Sequence, residues 1–259
     1  MNSIEIRTVN VVQYIEPLRE GGSLPALVKA DDEFYYVLKF RGAGQGKKAL
    51  IAELLGAELA RAIGLKVPEI VFMNLDDSFS KTEPDEEVQD LLNFSVGLNL
   101  GMHFLSGAIT YDPMVPKIDY LTASKIVLLD SMISNIDRTA KNTNILNWKK
   151  EIWLIDHGAG FYFHHNWDTW ENHLSRTFPL IKDHVLLKKA RKLPEAAEDI
   201  KKRLSDEKIE EIVSIIPDDF LKDESAPLSI SEMRGAYIKF IKTRLSKIDL
   251  LVKEAQDAR

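Results

Sequence analysis

Two short apolar runs, TNILNW and IWLID, stand only three residues apart between Thr143 and Asp156. That spacing leaves little choice but an antiparallel hairpin turning at Lys-Lys-Glu. A hairpin brings its outer ends together, and here both ends are polar. Asp137 and Asn142 precede the first run; Asp156 closes the second, with Gly158 and Gly160 allowing a sharp turn after it. Asn142 follows Asp137 by five residues and Asp156 follows Asn142 by fourteen. The hairpin is expected to carry Asn142 and Asp156 to one place, within reach of one divalent cation. Mg²⁺ suits such a pair, because it takes hard oxygen donors and few of them from protein. An Asp and an Asn five apart also occur in ordinary turns. The third residue, across the hairpin, is what raises them above that.

Upstream, the pattern changes. RTVNVVQYI, PALVKA, FYYVLKF and EIVFMNL are rich in β-branched and aromatic residues and read as strands. Between the last two lies the loop RGAGQGKK, then ALIAELLGAELARAIGL, apolar at helical spacing, with Gly64 as its expected cap and Pro68 as a stop. The loop fails as a phosphate-binding P-loop, because Arg41 and Lys48 occupy positions that need Gly and Ser/Thr. Asp76 to Asp90 is acidic and polar, and is expected to be a mobile surface loop. After residue 105 the chain turns helical: DYLTASKIVLLDSMISN, then 183–203, 207–215 and 229–257. The expected architecture is α+β, with a small β-rich N-lobe over 1–105 and a larger, mainly helical C-lobe over 106–259.

Lys39 ends an apolar strand. Alone it reads as an edge lysine reaching solvent. Glu53, on the apolar side of the following helix, offers it a partner across a cleft, the arrangement in which kinases grip nucleotide phosphates. Glu58 competes for that role, but its place after Ala57 suggests that it points outward. His157, His164 and His165 with Asp168 are not expected to bind a transition metal; HHNWDTWENH is expected to be a surface or cleft-lining loop.

Composition limits the partners. The 259 residues carry 34 Lys+Arg against 40 Asp+Glu, a net charge of −6, so nucleic acid and anionic membranes are not expected partners. With no cysteine, thiolate chemistry and disulfides are excluded. No basic-then-apolar leader opens the sequence and no apolar run reaches the ~20 residues of a membrane span. The expected location is the cytoplasm.

The segments LKF, AELLGAELARAIGLKVPE, SNIDRTAKNTNIL and LIDHGAG together resemble the HipA-like kinases and, more distantly, the phosphoinositide kinases. The likeness runs in order from Gly21 to His165. It implies a bilobal protein-kinase-like fold that uses ATP and Mg²⁺. Residue by residue, it implies Lys39 as the phosphate-binding lysine, Asp137 as the catalytic aspartate, and Asn142 and Asp156 as metal ligands. Gly21, Gly22 and Ser23 fall where the family has a phosphate-covering loop. The adenine pocket is expected within Val71 to Phe104, with VGLNLGMHF as the hinge. The implied acceptor is a protein serine or threonine; a small-molecule or lipid kinase, or a nucleotide-binding pseudokinase-like module, is the alternative. An antitoxin-like partner is possible within the family and is not readable from these residues.

Overall fold

The computed structural model describes residues 3–18, 24–114, 118–223 and 226–259. Five strands close a small barrel in the order β1 (Thr8–Pro17), β2 (Ala26–Ala30), β3 (Tyr35–Lys39), β5 (Gly97–His103), β4 (Ile70–Leu75). β1 closes it by pairing in parallel with β4, while the other pairs are antiparallel. Strand alternation decides what faces where. In β3, Tyr36 and Leu38 are buried inside the barrel, which turns Val37 and Lys39 to the other face.

α1 (Gly46–Ala62) follows β3 and stops at Gly64, whose φ of +83° suits a residue without a Cβ. It is not a half-exposed helix. Every residue from Leu50 to Ala60 is buried. The reason is that α1 lies between the barrel and the helices that follow, and its side chains join theirs in one large core. The barrel interior forms a second, separate core.

The segment expected to be an irregular acidic loop is ordered instead. α2 (Glu86–Phe94) is capped by Asp85, whose carboxylate accepts the backbone N–H of Glu87 at 3.1 Å and of Val88 at 3.4 Å. Ser80, in a 3₁₀ turn just before it, is buried. Acidic residues at a helix start complement its dipole, so the same charges that suggested a loop stabilise this first turn.

α3 (Tyr120–Ile133) is the central helix of the larger core, buried from Ala123 to Ile133. A short strand β6 (Ile109–Thr110) pairs with the hairpin β7 (Ile145–Trp148) and β8 (Glu151–Leu154). The turn is two residues rather than three. Lys149 and Lys150 both adopt positive φ, +49° and +67°, as a tight twisted hairpin turn demands. The remainder is α4 (Leu193–Arg203), α5 (Asp206–Ser214), α6 (Asp218–Leu221), α7 (Ile230–Ser246) and α8 (Ile248–Asp257). The expected helix over 183–203 begins only at Leu193, next to Pro194, and 183–192 runs as 3₁₀ turns and irregular chain. The expected helix over 229–257 is two, broken at Lys247. HHNWDTWENH is partly core, since His164 and Trp167 are buried. No helix among the described residues is long and apolar enough to cross a membrane.

Candidate active site

Lys39 leaves the barrel on the face away from its core and meets two carboxylates. Its Nζ donates to Glu53 Oε2 on α1 at 2.6 Å and to Asp156 Oδ1 just beyond β8 at 2.8 Å. Burial works against the charge on Lys39, but Asp156 and Glu53 outweigh it and raise its pKa. Burial likewise opposes the charge on Glu53, yet the Lys39 ammonium and the nearby His157 hold its carboxyl well below the usual range. Both groups are therefore charged at neutral pH. Glu58 does not point outward. It is only 6% exposed and pairs with Arg61 on its own helix, so it competes for Lys39 in no sense.

Asp137 sits in the loop after α3. Its Oδ2 accepts Asn142 Nδ2 at 2.9 Å and Asn144 Nδ2 at 3.2 Å. Asn144 is buried, with φ of +48°, and was not singled out by the sequence reading. Arg138 is buried too, which removes it from any direct contact with a transferred group. Its Nε donates to Asp130 Oδ2 on α3 at 2.6 Å, and its Nη1 donates to the carbonyls of Asn144 and Ile155. Asp130 also accepts His184 Nε2 at 2.9 Å and Asn135 Nδ2 at 3.0 Å. Through Arg138, one carboxylate in the last turn of α3 ties together the loop holding Asp137 and the strand end that precedes Asp156.

The backbone around these groups is unusual. Ser134, Asn144, Asp156 and Phe161 all have φ between +48° and +57°. Such conformations cost energy in residues other than glycine and persist where packing overrides them. At Asp156 the left-handed turn takes the chain out of β8 and presents the carboxylate to Lys39.

The sequence profile of the HipA-like kinases matches residues 11–250. The chain belongs to this family. Among solved structures, a Helicobacter pylori proinflammatory kinase, CtkA, superimposes with a TM-score of 0.61 at 13% identity, over 99% of both chains. That likeness shows a protein-kinase-like fold, strand-rich in its N-terminal part and helical in its C-terminal part. The Golgi casein kinase, solved with Mn/ADP bound, reaches a TM-score of 0.49 at 11% identity, over 100% of this chain and 74% of its own. Curated proteins yield no match.

In this HipA-like kinase a cleft of about 1150 Å³ opens between the barrel and the hairpin. Lys39, Asn142 and Asp156 line it beside the apolar Val37, Met102, Ile145 and Ile155. The C-terminal end of the expected hinge, His103 and Phe104, lines it as well. Leu18 and Pro25 border the cleft and are joined by the Leu18 N–H donating to Pro25 O at 2.7 Å. The expected loop residues Gly21, Gly22 and Ser23 lie between them, outside the described residues. Asn142 spends its amide N–H on Asp137, which leaves its oxygen for a ligand, and the Asp156 side chain is 46% exposed. One carboxylate and one amide oxygen fit a hard cation that brings phosphate and water ligands of its own.

Gly56, in the middle of α1, explains how close the Asp156 segment can come. A Cβ there would lie 2.5 Å from His157 Cβ. Gly56→Ala is expected to lower stability by about 1–3 kcal/mol through overpacking, although alanine is the better helix former by about 1 kcal/mol. Urea unfolding of both proteins tests this; an unchanged or stabilised variant would show that the two segments can separate freely.

Proposed function

We propose that this HipA-like kinase transfers the γ-phosphoryl group of ATP, with Mg²⁺, to a hydroxyl acceptor on a protein serine or threonine. The observation that carries the reading is Lys39 bridging Glu53 and Asp156 at the wall of a cleft that Asn142 also lines. ATP would lie in that cleft, between a β-rich lobe over 1–105 and a helical lobe over 106–259. Val37 and Met102, on one side, and Ile145 and Ile155 would hold the adenine against the Met102–Phe104 edge. Lys39 would grip the phosphates, with Glu53 keeping its ammonium aimed. Asn142 and Asp156 would hold Mg²⁺, which when bound neutralises charge on the phosphates. Asp137 has one oxygen occupied by two amides, so its Oδ1 is left to orient the acceptor hydroxyl. Positioning and charge stabilisation of this kind make up most of phosphoryl-transfer catalysis.

The direct test is incubation with γ-labelled ATP, alone and with a cytosolic extract. Label on protein supports the reading; label only on lipid or small molecules moves the acceptor class, and no transfer with Mg²⁺ present refutes it. Substitutions test the grip. Lys39→Met keeps most of the apolar stem and is expected to fold, with lowered stability because the buried Glu53 carboxylate loses its partner. It should weaken ATP binding about 10- to 100-fold, matching about 1.5–3 kcal/mol for hydrogen bonds to a charged group. Glu53→Ala should slow transfer more than it weakens binding. Glu58→Ala should reduce stability and leave transfer intact. Calorimetric titration with ATP and the transfer assay separate these outcomes; undiminished ATP affinity in Lys39→Met would remove the nucleotide from this face of the barrel.

A further inference from the structure

His157 follows Asp156 and is fully buried against α1. Its backbone N–H donates to Glu53 Oε2 at 2.8 Å, the same oxygen that accepts Lys39 Nζ at 2.6 Å. The other carboxylate oxygen, Oε1, is buried and has no hydrogen-bond partner among the described residues, and neither does either ring nitrogen of His157. The imidazole Nδ1 stands 3.6 Å from that Oε1. Buried polar atoms are normally paired, so three orphans in one spot, two of them facing each other just beyond bonding distance, mark an interaction that a small shift completes.

We propose that the His157 imidazole is a positioning residue: by donating Nδ1–H to Glu53 Oε1 it fixes the plane of the carboxylate that aims Lys39. The inference rests on the phosphotransfer reading above. With Oε2 alone anchored, the carboxylate remains free to rotate about its last bond and to offer Lys39 either oxygen. With both oxygens held, by the backbone N–H and the ring of one residue, rotation stops and Lys39 has one place to point. Bulk alone does not call for a histidine here, since the same segment buries the phenyl rings of Phe161 and Phe163. The nitrogen is the distinguishing atom.

Two variants separate nitrogen from bulk. His157→Phe keeps the ring and removes the donor. Its melting temperature should stay within a few degrees of the wild type, because the phenyl removes two buried ring nitrogens while Glu53 Oε1 loses its donor, whereas kcat should fall about 10-fold and the KM for ATP should stay within about twofold. His157→Asn places an amide donor near the Nδ1 position with less bulk, so it should melt lower than wild type and recover most of the kcat lost in the phenylalanine variant. In a Glu53→Gln background, His157→Phe should change kcat less than twofold, because its effect passes through Glu53. Wild-type kcat in His157→Phe, or an undiminished effect in the Glu53→Gln background, would overturn the proposal. The imidazole proton signals give a readout independent of turnover. The His157 Nδ1–H resonance should lie downfield and move on Glu53→Gln; a signal insensitive to that change overturns the proposal even if the wild-type protein transfers no phosphate. Absence of transfer with a responsive resonance would instead fault the phosphotransfer reading.

Discussion

Asp130→Asn should destabilise this protein by about 3–5 kcal/mol, the effect of removing one member of a buried ion pair. The substitution keeps the shape of the side chain, so no cavity contributes. What changes is charge. Arg138 is buried and, among the described residues, hydrogen-bonds to no other carboxylate, and His184 and Asn135 lean on the same group. Urea or thermal unfolding of both proteins measures the difference; a loss below about 1 kcal/mol would mean that Arg138 finds compensation elsewhere. If the variant fails to fold, Asp130→Leu with Arg138→Met decides the matter. Removing both charges from a buried site is often tolerated where removing one is not. The double variant should fold, yet transfer phosphate poorly, because nothing then ties the Asn144 and Ile155 carbonyls to α3.

The same carboxylate sets a pH dependence. Burial pushes the Asp130 carboxyl up, but the Arg138 charge and the hydrogen bonds from His184 and Arg138 outweigh it and hold it well below the usual range. A carboxylate depressed in the folded state stabilises fully above its unfolded value of about 3.9, and that contribution is lost as pH falls through the folded value. The stability gap between wild type and Asp130→Asn should therefore be widest near neutrality and narrow on acidification below about pH 4.

Asp130 also shows where the sequence stops being informative. Its helix is mostly apolar toward its C-terminal half, and the one aspartate within it signals only that some cation must be buried nearby. Which cation is a tertiary matter. Arg138 is eight residues away, but His184 is 54 residues away, in a stretch whose pattern suggests a helix and whose chain instead turns so that His184 can reach α3. The hairpin was legible because its strands are adjacent and its turn leaves no alternative. Lys39 and Glu53 were legible for a similar reason: strand alternation fixes the face of one, and the apolar stripe of α1 the side of the other. Glu58 was misjudged because that stripe argument assumes a solvent side, and α1 has none along its middle. Asn144 carried no local signal, and His157, expected not to bind metal, gave no sign of which carboxylate it would face. They matter through left-handed backbone and close helix approach, which only the folded chain reveals.

Asp137→Asn should reduce phosphoryl transfer by about 10²- to 10⁴-fold, the range for loss of a positioned acid–base group, and Asp156→Asn by about 10²- to 10³-fold, the range for loss of one electrostatic stabiliser, while both leave the fold intact. Neither substitution disturbs packing. An amide at 137 can still turn its oxygen toward the Asn142 and Asn144 donors, so the loop keeps its hydrogen bonds and loses only the charge offered to the acceptor. An amide at 156 leaves Lys39 its bond to Glu53, and the Asp156 side chain is about half exposed, so no buried charge is stranded. The two should part company on metal. Ligand stabilisation grows with the logarithm of ligand concentration over Kd, so melting curves with ATP, with and without Mg²⁺, report each site separately. Asp137→Asn should retain the Mg²⁺-dependent rise in melting temperature, because its role is toward the acceptor. Asp156→Asn should lose most of that rise, because one of two protein oxygens for the cation has lost its charge. Circular dichroism establishes that both variants are folded. The reverse pattern, with Mg²⁺ dependence lost in Asp137→Asn and kept in Asp156→Asn, would exchange the two roles, and undiminished transfer in either variant would remove that aspartate from the site.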